Sequence, residues 1–384
     1  MTPAARSGDD APATSTGGEP GRCVVVGGTV CDHLTVVDLA TRDVSWRRPD
    51  ARVTRAVRRW RRWRLHPLLA GIGWATLTVL GAVAIARLVD FDGATLLAEI
   101  NSTNALAYAP VWVVLPVAAI GRRPVLASVA LVVLGAQLAF AAPEVLAARP
   151  LPSWAGTSPH LRLFDANAGA DGGNTDMAGY AAEIAQVRPE LATFEEISPA
   201  DFSQLEASPA LRGLSHRYEL EGAAPWGFAV ASRYPIHVTH VMWTAGNPVL
   251  VALTLDLPEG AIRVWVVHTD APTLSRALWL SDLERIAHRE TTRGTGRLLV
   301  VGDFNASWGN AGFDAVLASG IADAAAARGH PFDMTWPQGD HVPPIVRIDH
   351  VLAGTGISTT KIAAVPGPGS DHRALLATIA VHRP

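Results

Sequence analysis

From Leu68 to Val89 the chain is apolar at almost every position, with Arg87 the sole charge and that near the far end. A run of this length has no polar face to give to water, and it predicts a membrane-spanning helix. Two more apolar runs follow, Ala105–Ile120 and Pro124–Ala142, separated by Gly121, Arg122 and Arg123. Three transmembrane helices are therefore expected over residues 67–148. Beyond Ala148 the pattern changes. RPLPSWAG opens a Pro-rich linker over 149–158, and from residue 159 short β-rich runs alternate with helical stretches to residue 384. Strands are expected at 161–164, 191–194, 227–231, 248–255, 263–267, 297–301, 347–353 and 374–381, and helices at 176–187, 274–291 and 313–319. Such alternation predicts a layered α/β or α+β domain, long enough to bury its own core.

Charge divides the chain in the same places. Residues 1–66 carry 12 Arg against 7 acids, 67–148 carry 3 basic residues against 4, and 149–384 carry 17 against 24. Residues 1–21 are rich in Gly, Ala, Pro, Ser, Thr and acids, too polar to order themselves, and are expected to be disordered. Short strands are expected at 23–26 and 34–39. The run RVTRAVRRWRRWR from Arg52 to Arg64 abuts the first apolar segment as a basic, aromatic cytoplasmic edge. The second basic site, Arg122 and Arg123, lies between the second and third runs. Positive residues mark cytoplasmic sides, so residues 1–66 belong inside, and three spans put 159–384 outside. Were the second run, with Pro110 and Pro116, a buried soluble helix instead, the sidedness would reverse. Only two cysteines, Cys23 and Cys31, are present, which excludes a disulfide scaffold or a cysteine-cage zinc site.

Polar residues of the third region gather where expected strands end, the place where layered folds carry their sites. They are Asp165 and Asn167, Glu195 and Glu196, His268 and Asp270, Asp303 and Asn305, Arg347 with Asp349 and His350, and Asp371 with His372. Oxygen donors with histidines and no thiols favour Mg²⁺ or Mn²⁺, and such an ion beside acid/base groups suits phosphate-ester hydrolysis. Singly, each has an ordinary reading as a turn acid or cap. Asp349 and His372 are harder to place so, because ionisable groups on apolar strands must find partners. His350 should face the opposite side of its strand and be structural.

In order, VVGDFNAS, GSDHRALLA, RPELATFEEI, GFAVASRYPI, VVHTDAP and RIDHVL resemble the endonuclease/exonuclease/phosphatase superfamily, which includes deoxyribonuclease I, sphingomyelinases and inositol-polyphosphate 5-phosphatases. The resemblance spans about residues 161–381. It implies an α+β fold, a four-layered sandwich of two mixed β-sheets flanked by helices, here preceded by the three transmembrane helices. It also implies roles. Asn167, Glu196 and Asp371 would hold the metal, Asp303 would activate the attacking water, and Asn305 would position water and phosphoryl group. His372 would hydrogen-bond the phosphorus centre with Asp349 orienting its ring, and His268 would assist the leaving oxygen, as in deoxyribonuclease I. The chain departs from the family in having Glu195 where Gln is usual, and in the extra carboxylate of Asp165.

The expected protein is thus a cell-membrane, multi-pass, metal-dependent phosphoesterase with an extracytoplasmic catalytic domain and no obligate protein partner. Its phosphate-ester substrate is left open among nucleic acid, phospholipid headgroup and small molecule. A single Lys, Lys361, argues against a tight duplex footprint, although Arg233, Arg276, Arg347 and Arg373 offer a local patch. The alternative is a catalytically silent binding domain of the same fold.

Overall fold

The apolar runs at the front fold into helices of unequal length. In the computed structural model, residues 65–89, 91–169, 175–222, 225–339 and 342–383 are described. The expected tail, the strands at 23–26 and 34–39, both cysteines and the Arg/Trp run lie outside the described residues. Helices α1 (Pro67–Leu88) and α5 (Pro124–Val145) each have 22 residues and a proline in the first turn, where its missing N–H costs nothing. Each is about 33 Å long and apolar enough to cross a membrane. Their outward positions, such as Leu69, Ile72, Ile85, Leu131 and Val132, are as apolar as the inward Leu77, Leu80, Ala130 and Val133.

The second run corrects the expectation of three long spans. After α2 (Thr95–Ser102) and the single turn α3 (Asn104–Ala107) it forms only α4 (Val111–Ile120). Pro110, which has no N–H to extend a helix backward, caps it, and Pro116 sits inside it. At 10 residues it is about 15 Å long, half of a bilayer core. The run nevertheless returns along its neighbours. Tyr108 packs on Phe140 of α5, Trp112 donates from Nε1 to Gln137 at 3.0 Å, and Gly121 O accepts the Leu65 N–H at 3.0 Å, back where α1 starts.

Residues from His160 build two six-stranded sheets. The first has the order β11 (Ile357–Pro366), β12 (Arg373–Val381), β1 (His160–Asn167), β2 (Leu191–Glu195), β4 (Phe228–Ser232), β3 (His216–Leu220). The second runs β5 (Ile236–Thr244), β6 (Asn247–Leu255), β7 (Ile262–His268), β8 (Leu298–Asp303), β10 (Asp349–Ala353), β9 (Ala322–Asp323). Both are mixed, since β1 with β2 and β7 with β8 pair parallel among antiparallel neighbours. Alternation along the strands sends Leu161, Leu163, Leu191, Val264, Val266, Leu299, Val301 and Val351 into the core between the sheets. The opposite faces take helices. Phe164, Ala192 and Phe194 meet α6 (Met177–Val187) and α7 (Pro199–Ala207), while Trp265, Val300 and Leu352 meet α8 (Pro272–Arg293) and α9 (Ala311–Leu317). The result is helices, sheet, sheet, helices. Ala98 of α2 belongs to that last apolar cluster, so the front helices and the sandwich share packing, and all described residues fall in one compact unit, Arg62–Pro384.

One acid is buried far from any chemistry. Glu290 on α8 is fully buried, and only its Oε2 has a partner, Ser319 Oγ at 2.8 Å. Burial pushes its carboxyl up to about 8. The folded chain therefore keeps a proton that the unfolded chain releases above its ordinary value of 4.5, and stability falls as pH rises between these two values. Glu290→Gln is expected to raise unfolding free energy by about 1–3 kcal/mol at pH 8 and to change it little at pH 4. Equal gains at both pH values in denaturant titration would contradict this account.

Candidate active site

The strands facing the inter-sheet core end in polar residues of the same parity. On β1, Leu161 and Leu163 are followed by Asp165 and Asn167; on β2, Leu191 by Thr193 and Glu195; on β7, Val264 and Val266 by His268; on β8, Leu299 and Val301 by Asp303. β10 enters the same end from the other direction, with Asp349 before Val351, and Asp349 is paired with Asp303 across the sheet. Each apolar column thus closes with a group that needs a partner. Two backbone features add what parity does not supply. Glu196 and Asn305 adopt positive φ of 49° and 47°, uncommon for residues with a Cβ, which turns Glu196 into the cluster beside the inward Glu195. Gly302, at φ 117°, is needed because a Cβ there would meet Val267 O and lie 2.8 Å from Glu195 Oε1.

The side chains converge. Asn167 Nδ2 donates to Glu196 Oε1 and to Asp303 Oδ2, both at 3.0 Å. His268 Nε2 lies 3.2 Å from Glu196 Oε1, and His372 Nε2 lies 3.8 Å from Asp303 Oδ2. His372 Nδ1 is held by Asp349, 3.1 and 3.0 Å from its two oxygens. The Asn305 N–H donates to Asp303 Oδ1 at 2.7 Å, and its Nδ2 donates to Thr269 O at 3.1 Å. Asp371 stands apart. It is exposed at the rim, where its Oδ2 accepts from Trp336 Nε1 at 3.0 Å. Arg347 is also misplaced as part of a substrate patch, because it is buried and paired with Glu144 and Asp323. His350 faces away, between Asp323 and Ala306 O.

Motif reading passed over the supports. Ser370 Oγ donates to Asn167 O at 2.8 Å and accepts the His372 N–H at 2.9 Å, tying two distant segments together. Thr335 Oγ1 accepts from the Ile348 and Asp349 amides at 3.1 and 3.3 Å. A Ser two residues before a site His is a local signal for the first; nothing in the sequence marks Thr335.

Electrostatics divides the acids into two layers. Beneath the site, burial and neighbouring carboxylates push Asp165 up to about 8 and Glu195 well above its usual range. Both are driven toward their neutral forms. In the upper layer, burial opposes ionisation of Glu196 but the His268 hydrogen bond wins and lowers it. Asp303 is pushed up to about 6 by burial and by Asp349. Burial works against a charged His372, yet Asp349 and Asp303 raise it to about 10.

Residues 156–372, more than half of the chain, match the Endonuclease/Exonuclease/phosphatase family, and the chain belongs to it. Among solved structures it is similar to TDP2 of D. rerio complexed with single strand DNA product, 17% identical, with 58% of this chain and 99% of that one covered at TM-score 0.47. An endonuclease/exonuclease/phosphatase from Beutenbergia cavernae DSM 12333 is 18% identical over 58% of this chain and 72% of that one, TM-score 0.44. A mannosyl-6-phosphatase of Bacteroides thetaiotaomicron VPI-5482 is 13% identical over 57% and 99%, TM-score 0.45. No curated protein matches the chain.

The donor set fits a hard divalent cation. Ligand atoms of Glu196, His268 and Asp303, and likewise of Asp303, Asp349 and His372, lie within 4.8 Å of one another, and carboxylates this buried need opposite charge. Asn167 faces the acids with its amide nitrogen while its Oδ1 accepts from Gly169 N at 3.0 Å, so ligation through that oxygen requires the amide to turn over. Mn²⁺ is expected to raise the thermal midpoint in a concentration-dependent way, and Glu196→Ala to weaken that response at least tenfold. An undiminished shift in the variant, read by calorimetry, would remove Glu196 from the metal site.

Proposed function

We propose that the chain is a membrane-anchored, divalent-metal-dependent phosphoesterase that hydrolyses its substrate by in-line attack of water. The observation that carries this reading is the convergence of Asn167, Glu196, His268, Asp303, Asp349 and His372, drawn from six segments, at one end of the sandwich. Members of the family are metal-dependent phosphoesterases and nucleases.

Mg²⁺ or Mn²⁺, held by Glu196 and supported by Asn167, would neutralise charge on a non-bridging phosphate oxygen. The chain's own groups divide the remaining work by protonation state. Asp303, poised at about 6, is the acceptor for the proton of the attacking water. Asn305, fixed to Asp303 and Thr269 O, orients that water. His372, raised to about 10, is an imidazolium at neutral pH. It therefore cannot serve as base and instead donates from Nε2 to a phosphoryl oxygen as charge builds, while Asp349 holds the ring through Nδ1. His268, buried against Trp226 at 4.9 Å between ring centroids, is placed to pass a proton to the leaving oxygen. Asp371 and Trp336 sit at the rim, where substrate enters.

The anchor consists of two spans, α1 and α5, joined by the short apolar return through α4. Because Gly121 lies beside Leu65, α5 starts on the side where α1 starts, and both helices end on the side of the sandwich. The basic Arg52–Arg64 run precedes α1, which favours a cytoplasmic start and an extracytoplasmic catalytic domain. Protease added to intact cells should then cut the C-terminal region; full protection there would reverse the orientation.

The activity test uses the full chain in detergent with Mg²⁺ or Mn²⁺ and a panel of a bis-aryl phosphate, DNA, phospholipid and inositol phosphate. Hydrolysis of at least one is expected, falling by about 10²–10⁴-fold in Asp303→Ala and in His372→Ala. Retention of wild-type rates in both variants would falsify the mechanism, and inactivity of the wild type across the panel would favour a silent binding domain.

A further inference from the structure

Asp303 closes β8, and the loop that follows carries Asn305 and runs through Trp308 and Asn310 into α9. Its first half is held by the sandwich, with His350 Nε2 3.0 Å from Ala306 O. Its second half is held by the helices that precede the sandwich. Arg87, in the last turn of α1, donates from Nη2 to Trp308 O at 2.7 Å and from Nη1 to Gly309 O. Asp92 is buried, accepting from Asn101 Nδ2 at 2.7 Å and from the Ala311 N–H at 2.9 Å. Asn310, also fully buried, donates to Ala98 O at 2.9 Å and accepts from Ser102 Oγ at 2.8 Å and from the Ser307 N–H at 2.9 Å. A Cβ at Gly309 would collide with Asn101 O, so segment and loop touch backbone to backbone.

A second contact of the same kind reaches the neighbouring strand. Glu144, near the end of α5, pairs with Arg347, whose Nη1 donates to Pro331 O at 2.9 Å and whose Nη2 lies 3.5 Å from Asp323. Arg347 stands two residues before Asp349. All three charged side chains are buried.

We propose that Arg87, Asp92 and Asn310 are positioning residues for Asp303 and Asn305, and that Glu144 with Arg347 does the same for Asp349, so that the front helices form part of the catalytic scaffold and are more than a tether. None of these groups touches the reacting atoms. They fix the far end of a short loop whose near end must hold a carboxylate and an amide in attack geometry, where a misplacement of about 1 Å costs on the order of 100-fold in rate. The polar groups are spent on carbonyls and amides of that loop, not on solvent, and a simple anchor has no need of them.

The inference rests on the phosphoesterase reading, and two readouts keep their failures apart. In the full chain in detergent, with saturating Mn²⁺ and a bis-aryl phosphate, Arg87→Ala is expected to lower kcat by about 10–100-fold with KM within about twofold, and Arg87→Lys to recover part of the loss. Hydrogen exchange at the Asn305, Ser307 and Ala311 amides should accelerate about tenfold or more in Arg87→Ala, whether or not a substrate is known. If Arg87→Ala does not fold, Ser102→Ala and Asp92→Asn, each losing single bonds, should give the same pattern at several-fold amplitude. Unchanged exchange in folded variants overturns the proposal. So does unchanged kcat, or a loss of kcat that matches a loss of folded protein. Accelerated exchange in Arg87→Ala, with a wild type that hydrolyses nothing, would keep the clamp and remove the enzyme reading.

Discussion

Five carboxylates, those of Asp165, Glu195, Glu196, Asp303 and Asp349, crowd one end of a sandwich that is otherwise apolar between its sheets, and their mutual repulsion constrains everything built around them. Left ionised and unpaired at such depth they would cost several kcal/mol each. Three different answers are combined. Burial and neighbouring carboxylates push Asp165 and Glu195 toward their neutral forms; Asp349 and Asp303 share the field of the His372 imidazole; Glu196 is held by His268 and Asn167. The lower layer's shift toward neutrality keeps the upper layer from being more negative still. What remains unneutralised faces the mouth, which is where a divalent ion and a phosphate would meet.

Much of the sandwich was legible in the sequence, and the strands that were not share one cause. The eight strands expected from apolar runs correspond to β1, β2, β4, β6, β7, β8, β10 and β12, the interior strands of both sheets. The four that escaped, β3, β5, β9 and β11, are the edges. An edge strand exposes one face or both, so β3 and β5 mix Arg, His and Thr with apolar residues and lose the continuous run that marks a buried strand. β9 has two residues and no pattern at all. The site was legible for a related reason. A polar residue closing an apolar column is conspicuous in sequence, and its parity says which face it takes. Glu196 is the exception. Alternation after Leu191 assigns the inward place to Glu195, and only a left-handed backbone turn brings the next residue in as well. Motif resemblance found Glu196 where periodicity alone would have chosen its neighbour.

Composition misled at the front of the chain because it counts apolar residues without regard to where prolines fall. Ala105–Ile120 is apolar enough to suggest a span, yet its helix starts only after Pro110 and stops at Gly121, ten residues in all. The charges nearby were informative in a way that hydropathy does not express. Arg87, Asp92 and Glu144 look like the ordinary polar punctuation of membrane segments, whose usual fate is water or a headgroup. In the folded chain they turn inward onto Gly309, Ala311 and Arg347. Their partners lie about 200 residues away in sequence, beyond the reach of any local pattern.

This inward turn bears on how the helices and the sandwich stay assembled. A bundle joined to a sandwich only by a flexible linker needs no polar contact with it, and the Pro-rich linker at 149–158 could have served alone. Instead, buried polar pairs join the two, and a buried pair broken on one side leaves the other uncompensated, at about 3–5 kcal/mol for a full charge. Arg347 shows the consequence. Its donors are divided among Glu144 of the bundle, Asp323 of the sheet edge and Pro331 O of the rim. Withdrawing the bundle would leave a guanidinium with a donor unpaired two residues from Asp349, on the strand that sets the ring of His372. The same charges that make the front helices costly to detach from the sandwich also fix the loop after β8 and the approach to β10, so bundle and crevice share one set of buried side chains.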